Sequence, residues 1–164
     1  MNYLWTPWRS TYMKQTRVSR GCIFCDAAAG SEDQKSLVVY RGQHCFVILN
    51  RYPYTSGHLM VAPYAHVSRL SQVDEGTAEE MMRLTRFSES ALGEVYSPDG
   101  INLGMNMGEA AGAGIEQHIH MHILPRWKGD ANFMTSVGQT RIIPEMLTET
   151  WDKLHRVFQT LRKF

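Results

Sequence analysis

Three histidines, His118, His120 and His122, alternate with Ile119, Met121 and Ile123. In extended backbone, alternate side chains share a face. The spacing therefore sets three imidazoles along one face at steps of about 6.6–6.8 Å and turns the apolar residues to the other. Imidazoles are poor core fillers, and each needs hydrogen-bond partners. Three on one face mark a reaction centre better than they mark packing. Neutral imidazole is a nitrogen nucleophile near neutral pH. One ring can attack phosphorus if its far nitrogen donates to a carbonyl, and a second can serve the departing oxygen. Just upstream, residues 108–114 hold three glycines and three alanines in seven positions. The small side chains at Gly112, Ala113 and Gly114 would let backbone N–H groups approach phosphate oxygens closely.

The elements that must position these residues follow from patterning. Leu37–Tyr40, Cys45–Leu49 and His58–Ala62 are short apolar runs separated by turns at 41–43 and 53–57, and each reads as a strand. From Asp74, Met81, Leu84, Phe87, Ser88, Ala91, Leu92 and Val95 recur at helical spacing until Ser97-Pro98-Asp99-Gly100 stops them. Residues 101–107 and 119–124 read as two more strands. Pro144 is placed to open a final helix bearing Met146, Leu147, Trp151, Leu154, Phe158 and Leu161 on one face. The first 30 residues read as irregular, and Ser31–Lys35 as a loop. Close strand neighbours, a long helix and a closing helix predict an α+β domain with an antiparallel sheet.

The 164 residues suit one domain, residues 1–164. Apolar residues make up 43%, charged residues 20%, and the net charge is +1. That balance fits a globular protein and argues against a nucleic-acid partner. The longest apolar runs are too short to span a membrane, and residues 1–9 have no signal-peptide core; a cytoplasmic location is expected. Cys22 and Cys25 form a C-x-x-C pair, which is either half a metal site or a redox pair. Cys45, inside an apolar run, reads as a small buried hydrophobe. Arg9, Arg51, Arg126 and Lys128 are candidate phosphate contacts, and Trp5, Trp8 and Trp127 candidate stacking surfaces for a base.

His118-Ile119-His120-Met121-His122-Ile123-Leu124 resembles the signature of the histidine triad (HIT) family. Leu49–Pro53, Gly57–Pro63 and Gly21–Cys25 also resemble it, and Trp5–Arg9 and Pro125–Phe133 look like its bacterial diadenosine tetraphosphate phosphorylase and Fhit-type hydrolase branch. The resemblance covers roughly residues 20–130. It implies a five-stranded antiparallel sheet with a long central helix and a C-terminal helix at 145–164, in a homodimer. It implies that His120 attacks the α-phosphorus of a dinucleoside polyphosphate to form a nucleotidyl-histidine, with His122 helping the leaving group. It places Asn50, His58 and Asn106 with the glycine-rich loop at the substrate. It also makes Cys22, Cys25, His66 and His118 the ligands of a structural zinc, tied to a residue 1–30 extension. The sequence departs from the family where many members carry Gln or Ser before the triad; Gly112-Ala113-Gly114-Ile115 stands there instead. Hydrolysis and phosphorolysis therefore stay open, as do nucleoside phosphoramidate cleavage and a nucleotide-binding signalling role with weak turnover.

Overall fold

The computed structural model describes residues 21–130, 137 and 145–161. Five strands run in chain order: β1 (Val38–Arg41), β2 (Cys45–Leu49), β3 (Leu59–Pro63), β4 (Gly100–Met105) and β5 (Met121–Arg126). They form one antiparallel sheet in the order β1-β2-β3-β5-β4. The long helix α3 (Glu75–Tyr96) packs against β2, β3 and β5, and α4 (Leu147–Leu161) packs against α3 and β1. The expected α+β class, five-stranded sheet, central helix and closing helix are all present.

Every residue of β2 and β3 is buried, so these strands form the middle of the core. Their continuous apolar runs are what two covered faces require. Asp74 starts α3, its carboxylate accepting the Thr77 N–H at 3.0 Å. Met81, Leu84, Ala91 and Leu92 then bury one helical stripe. The β1–β2 turn is held from below by Glu80, which is buried and accepts the backbone N–H groups of Gln43, His44 and Cys45. Burial opposes its charge, but those N–H donors outweigh burial and keep its pKa low. Gly42 is required there, because a Cβ would meet the Cys45 carbonyl at 2.8 Å and the Glu80 carboxylate at 2.9 Å. Cys45 is buried as expected, and burial pushes its thiol up to about 12.

Two expectations change. Residues 23–29 are not irregular but form helix α1 (Ile23–Ala29), and Ser31–Lys35 runs into a helical turn, α2 (Asp33–Ser36). The alanine run favours helix, and Phe24 and Ala27, three apart, bury the inner side of α1. The last strand is also shifted. It spans Met121–Arg126 rather than 119–124, so only His122 of the triad lies in the ladder. Pro125 does not close it, because β5 has already passed its last β3 pair at Ile123 and pairs only with β4 there. The expectations that rest on residues 1–20, on Pro144 and on Asn132-Phe133 lie outside the described residues.

Candidate active site

His118 and His120 sit in the segment that leads into β5. Ile119 tethers this segment, donating its N–H to the Val67 carbonyl at 2.7 Å. Ile119 and Ile123 point into the core, and the three imidazoles gather on the other side as the alternation predicts. The rings of His120 and His122 meet edge-on at 4.7 Å. Phe24 of α1 lies against both His118 and His120, at 5.1 and 4.7 Å.

Each ring has a different fixed partner. His120 donates from Nδ1 to the His118 carbonyl at 2.8 Å, which leaves Nε2 with a lone pair. Burial holds the His120 pKa below the usual value, so the ring is neutral at pH 7. His118 donates from Nε2 to the Pro63 carbonyl at 2.9 Å and so keeps Nδ1 bare. His122 meets His58, Nδ1 to Nε2, at 2.9 Å. Burial, with His120 adding to it, lowers the His122 pKa to about 4.

A cavity of about 430 Å³ opens over His120 and His122. Ile23, Phe24, Ala27, Leu37, Ile48 and Leu49 make one apolar wall. Asn50, Arg51, Tyr52 and Tyr54 border it from the β2–β3 loop, and Asn106, Gly112 and Gly114 from the other side. Asn50 spends its side-chain oxygen on the Tyr52 N–H at 2.9 Å. Of the loop amides, Gly112 N–H goes to the Glu109 carbonyl and Ala113 N–H to the Gly108 carbonyl. Ala113 does not line the cavity, so the loop offers fewer free donors than its composition suggests. His58, expected at the substrate, is fully buried behind His122 and does not reach the cavity. Its pKa is pushed down to about 3, chiefly by burial and then by His122 and His120. Arg126 is tied to Asp130 and Asn102, and Trp127 packs edge-on to Tyr96, so neither belongs to the cavity. The α1 side chains Ile23, Phe24, Asp26 and Ala27 are cavity residues that the sequence reading passed over. The alanine run and the Phe24–Ala27 spacing were the available signals.

Cys22, Cys25, His66 and His118 converge beside this site, with one ligand atom from each all within 4.8 Å of one another. Cys22 Sγ lies 3.3 Å from His118 Nδ1, Cys25 Sγ 3.2 Å from His66 Nδ1, and the two Nδ1 atoms are 3.3 Å apart. Tetrahedral zinc with ordinary Zn–N and Zn–S bonds requires ligand separations of about 3.3–3.8 Å. His118 already has its proton on Nε2, so its Nδ1 is free to ligate. The donor set and spacing fit a closed zinc site.

Residues 31–129 match the HIT domain. An AP-4-A phosphorylase of Mycobacterium tuberculosis is 38% identical over 154 residues, which cover 90% of this chain and 79% of that one. The chain belongs to the HIT family. Among solved structures, a Zn-bound histidine triad family protein from Mycobacterium smegmatis matches this HIT protein with TM-score 0.70 at 28% identity, over 87% of this chain and 96% of that one. A hypothetical histidine triad nucleotide-binding protein from Sulfolobus tokodaii matches with TM-score 0.68 at 25% identity, over 86% and 94%. Among the described residues of this HIT protein, no helix is long and apolar enough to cross a membrane.

Proposed function

We propose that this HIT protein cleaves dinucleoside polyphosphates of the diadenosine tetraphosphate class by nucleotidyl transfer through His120, with inorganic phosphate as the final acceptor. The observation that carries the reading is the bare Nε2 of a neutral His120, aimed by the His118 carbonyl into a nucleoside-sized cavity. The name of the Mycobacterium tuberculosis relative supports the substrate and the acceptor.

In the first step His120 Nε2 bonds to the α-phosphorus and the P–O bond to the leaving nucleotide breaks, its electron pair going to that oxygen. His122 hydrogen-bonds the departing oxygen. The His120 Nδ1–H stays on the His118 carbonyl, so the nucleotidyl-imidazolium remains oriented. Phosphate then attacks the α-phosphorus and releases His120. Diadenosine tetraphosphate gives ATP in the first step and ADP in the second. The apolar wall of Ile23, Phe24 and Ala27 suits a purine face, and Asn50 keeps its amide N–H₂ for a ribose hydroxyl. Asn106 and the Gly114 amide suit the phosphates.

Zinc on Cys22, Cys25, His66 and His118 has no open position, and when bound it cross-links α1 to the triad segment. The zinc-bound relative supports this assignment. The exposed edge strand β4, with Leu103 half exposed, supports a homodimer built on that edge. Residues 1–164 are read as one domain, and the free thiols Cys22, Cys25 and Cys45 suit the reducing cytoplasm. The test is a product assay on diadenosine tetraphosphate with and without phosphate. ADP and ATP appearing only with phosphate support phosphorolysis; AMP and ATP without it replace phosphate by water; no cleavage under either condition defeats the reading.

A further inference from the structure

We propose that Arg41 is a positioning residue for the nucleotide: it fixes helix α1, and with it the apolar wall of the cavity, against the end of β1. The proposal rests on the reading above that this wall takes the base. Arg41 is the last residue of β1, opposite Phe46 of β2. It does not line the cavity. Its half-buried guanidinium reaches instead to the far end of α1. There Nη1 donates to the Ala28 carbonyl at 2.8 Å, and Nη2 to the carbonyls of Ala27 and Gly30 at 2.9 and 2.7 Å. Nε donates to the Asp33 carboxylate at 2.9 Å, so the same side chain ties in α2.

Helix α1 needs that support from outside. It has seven residues, fewer than a helix needs to hold alone. Its N-cap residue, Cys22, makes no side-chain cap hydrogen bond, and its last turn carries no basic residue of its own. Gly30, which follows it, is extended at φ −72° and ψ 153° rather than left-handed. The chain therefore does not fold back to close the last carbonyls of the helix. Those orphan acceptors remain at the Ala29 end, and Arg41 supplies donors to them. A planar fork suits several carbonyls and a carboxylate at once, whereas an ammonium offers its donors from a single point. The root of this arm is firm. Next in the chain is the Gly42 turn, whose amides Glu80 of α3 holds. Arg41 passes that rigidity on to α1.

The consequence lies on the other side of the helix. Ile23, Phe24, Asp26 and Ala27 line the cavity, and Phe24 packs on His118 and His120. With Arg41 in place the wall stands at a fixed distance from His120. Without it α1 keeps its contacts at the Cys22 end and loses those at the Ala28 end. A base must then order the wall that receives it, at a cost in affinity. A ligand without a base does not meet that cost.

The test compares AMP with ribose 5-phosphate, which lacks the base, on the full chain as purified. Dissociation constants come from ¹H–¹⁵N chemical-shift titration, which needs no turnover. The unaltered chain is expected to hold AMP more tightly than ribose 5-phosphate. Arg41→Met is expected to raise the AMP constant roughly 10-fold and the ribose 5-phosphate constant less than about twofold. The Asp26 and Gly30 amides bond back to the Cys22 and Asp26 carbonyls at 2.9 and 3.1 Å. In the variant they are expected to exchange faster while those of β2 and α3 keep their protection. Arg41→Lys, which keeps the charge but not the fork, is expected to fall between. A merely structural arginine would weaken both ligands alike or neither, and either outcome overturns the proposal. If Arg41→Met does not fold, Arg41→Lys is judged by the same comparison. An unaltered chain that binds the two ligands equally takes the base off this wall and overturns the proposal with it. Failure of the unaltered chain to cleave diadenosine tetraphosphate is a separate result: it defeats the nucleotidyl-transfer reading, and the binding constants still judge Arg41.

Discussion

Three imidazoles spaced two residues apart end with three unlike partners, and the proposed roles differ accordingly. His118 turns a bare Nδ1 toward Cys22 and His66, His120 a bare Nε2 toward the cavity, and His122 meets the His58 ring at 2.9 Å. Replacing His120, the proposed nucleophile, tests this most simply. His120→Ala is expected to lower turnover on the order of 10³-fold or more with the thermal midpoint little changed; steady-state rates and a melting curve check both. Because burial depresses the His120 pKa, the ring titrates below the ordinary imidazole value of 6.5. The acidic limb of the kcat/KM profile is therefore expected below that of free imidazole, and a limb at or above pH 6.5 would count against the assignment. The alternation of the triad was legible from spacing alone. The partner of each ring was not, since carbonyls and amides from distant segments supply them.

At the scale of elements, the strands were legible as short apolar runs bounded by turns, and α3 and its caps at Asp74 and Ser97 from a strong helical periodicity. Helix α1 was not. Its seven residues are too few to stand alone and hold by packing Phe24 on the histidines. The strand shift at β5 was hidden for a similar reason: the His118–His120 segment makes its backbone bond to Val67, outside the sheet, and meets β3 through the His118 side chain at the Pro63 carbonyl. Phe24→Ala is expected to cost about 3–5 kcal/mol and to reduce activity by loosening His120, measurable by denaturant unfolding beside the kinetics. Elemental analysis without chelator is expected to find about one zinc per chain, and below about a quarter equivalent the site assignment fails. Chelation is expected to lower the melting temperature, because α1 then loses its cross-link.

For the whole molecule, one buried and one half-buried histidine make stability depend on pH. The folded pKa values of His58 and His122, about 3 and about 4, lie below the unfolded value of 6.5. The unfolded chain therefore binds more protons under pH 6.5, and stability falls as pH drops from 7 toward 4. The pair is expected to cost roughly 2–4 kcal/mol between pH 7 and pH 5, read as a falling denaturation midpoint; a flat midpoint would mean the rings are solvated. The sheet also leaves β4 at its edge, so sedimentation at micromolar concentration is expected to give twice the chain mass. The account turns, however, on one covalent bond. The direct measurement is rapid quenching of the protein with diadenosine tetraphosphate, followed by peptide mass mapping under mildly alkaline conditions. An adenylyl group on His120, absent from His120→Ala, is the expected result. An adduct on another residue, or undiminished cleavage by His120→Ala, would contradict it.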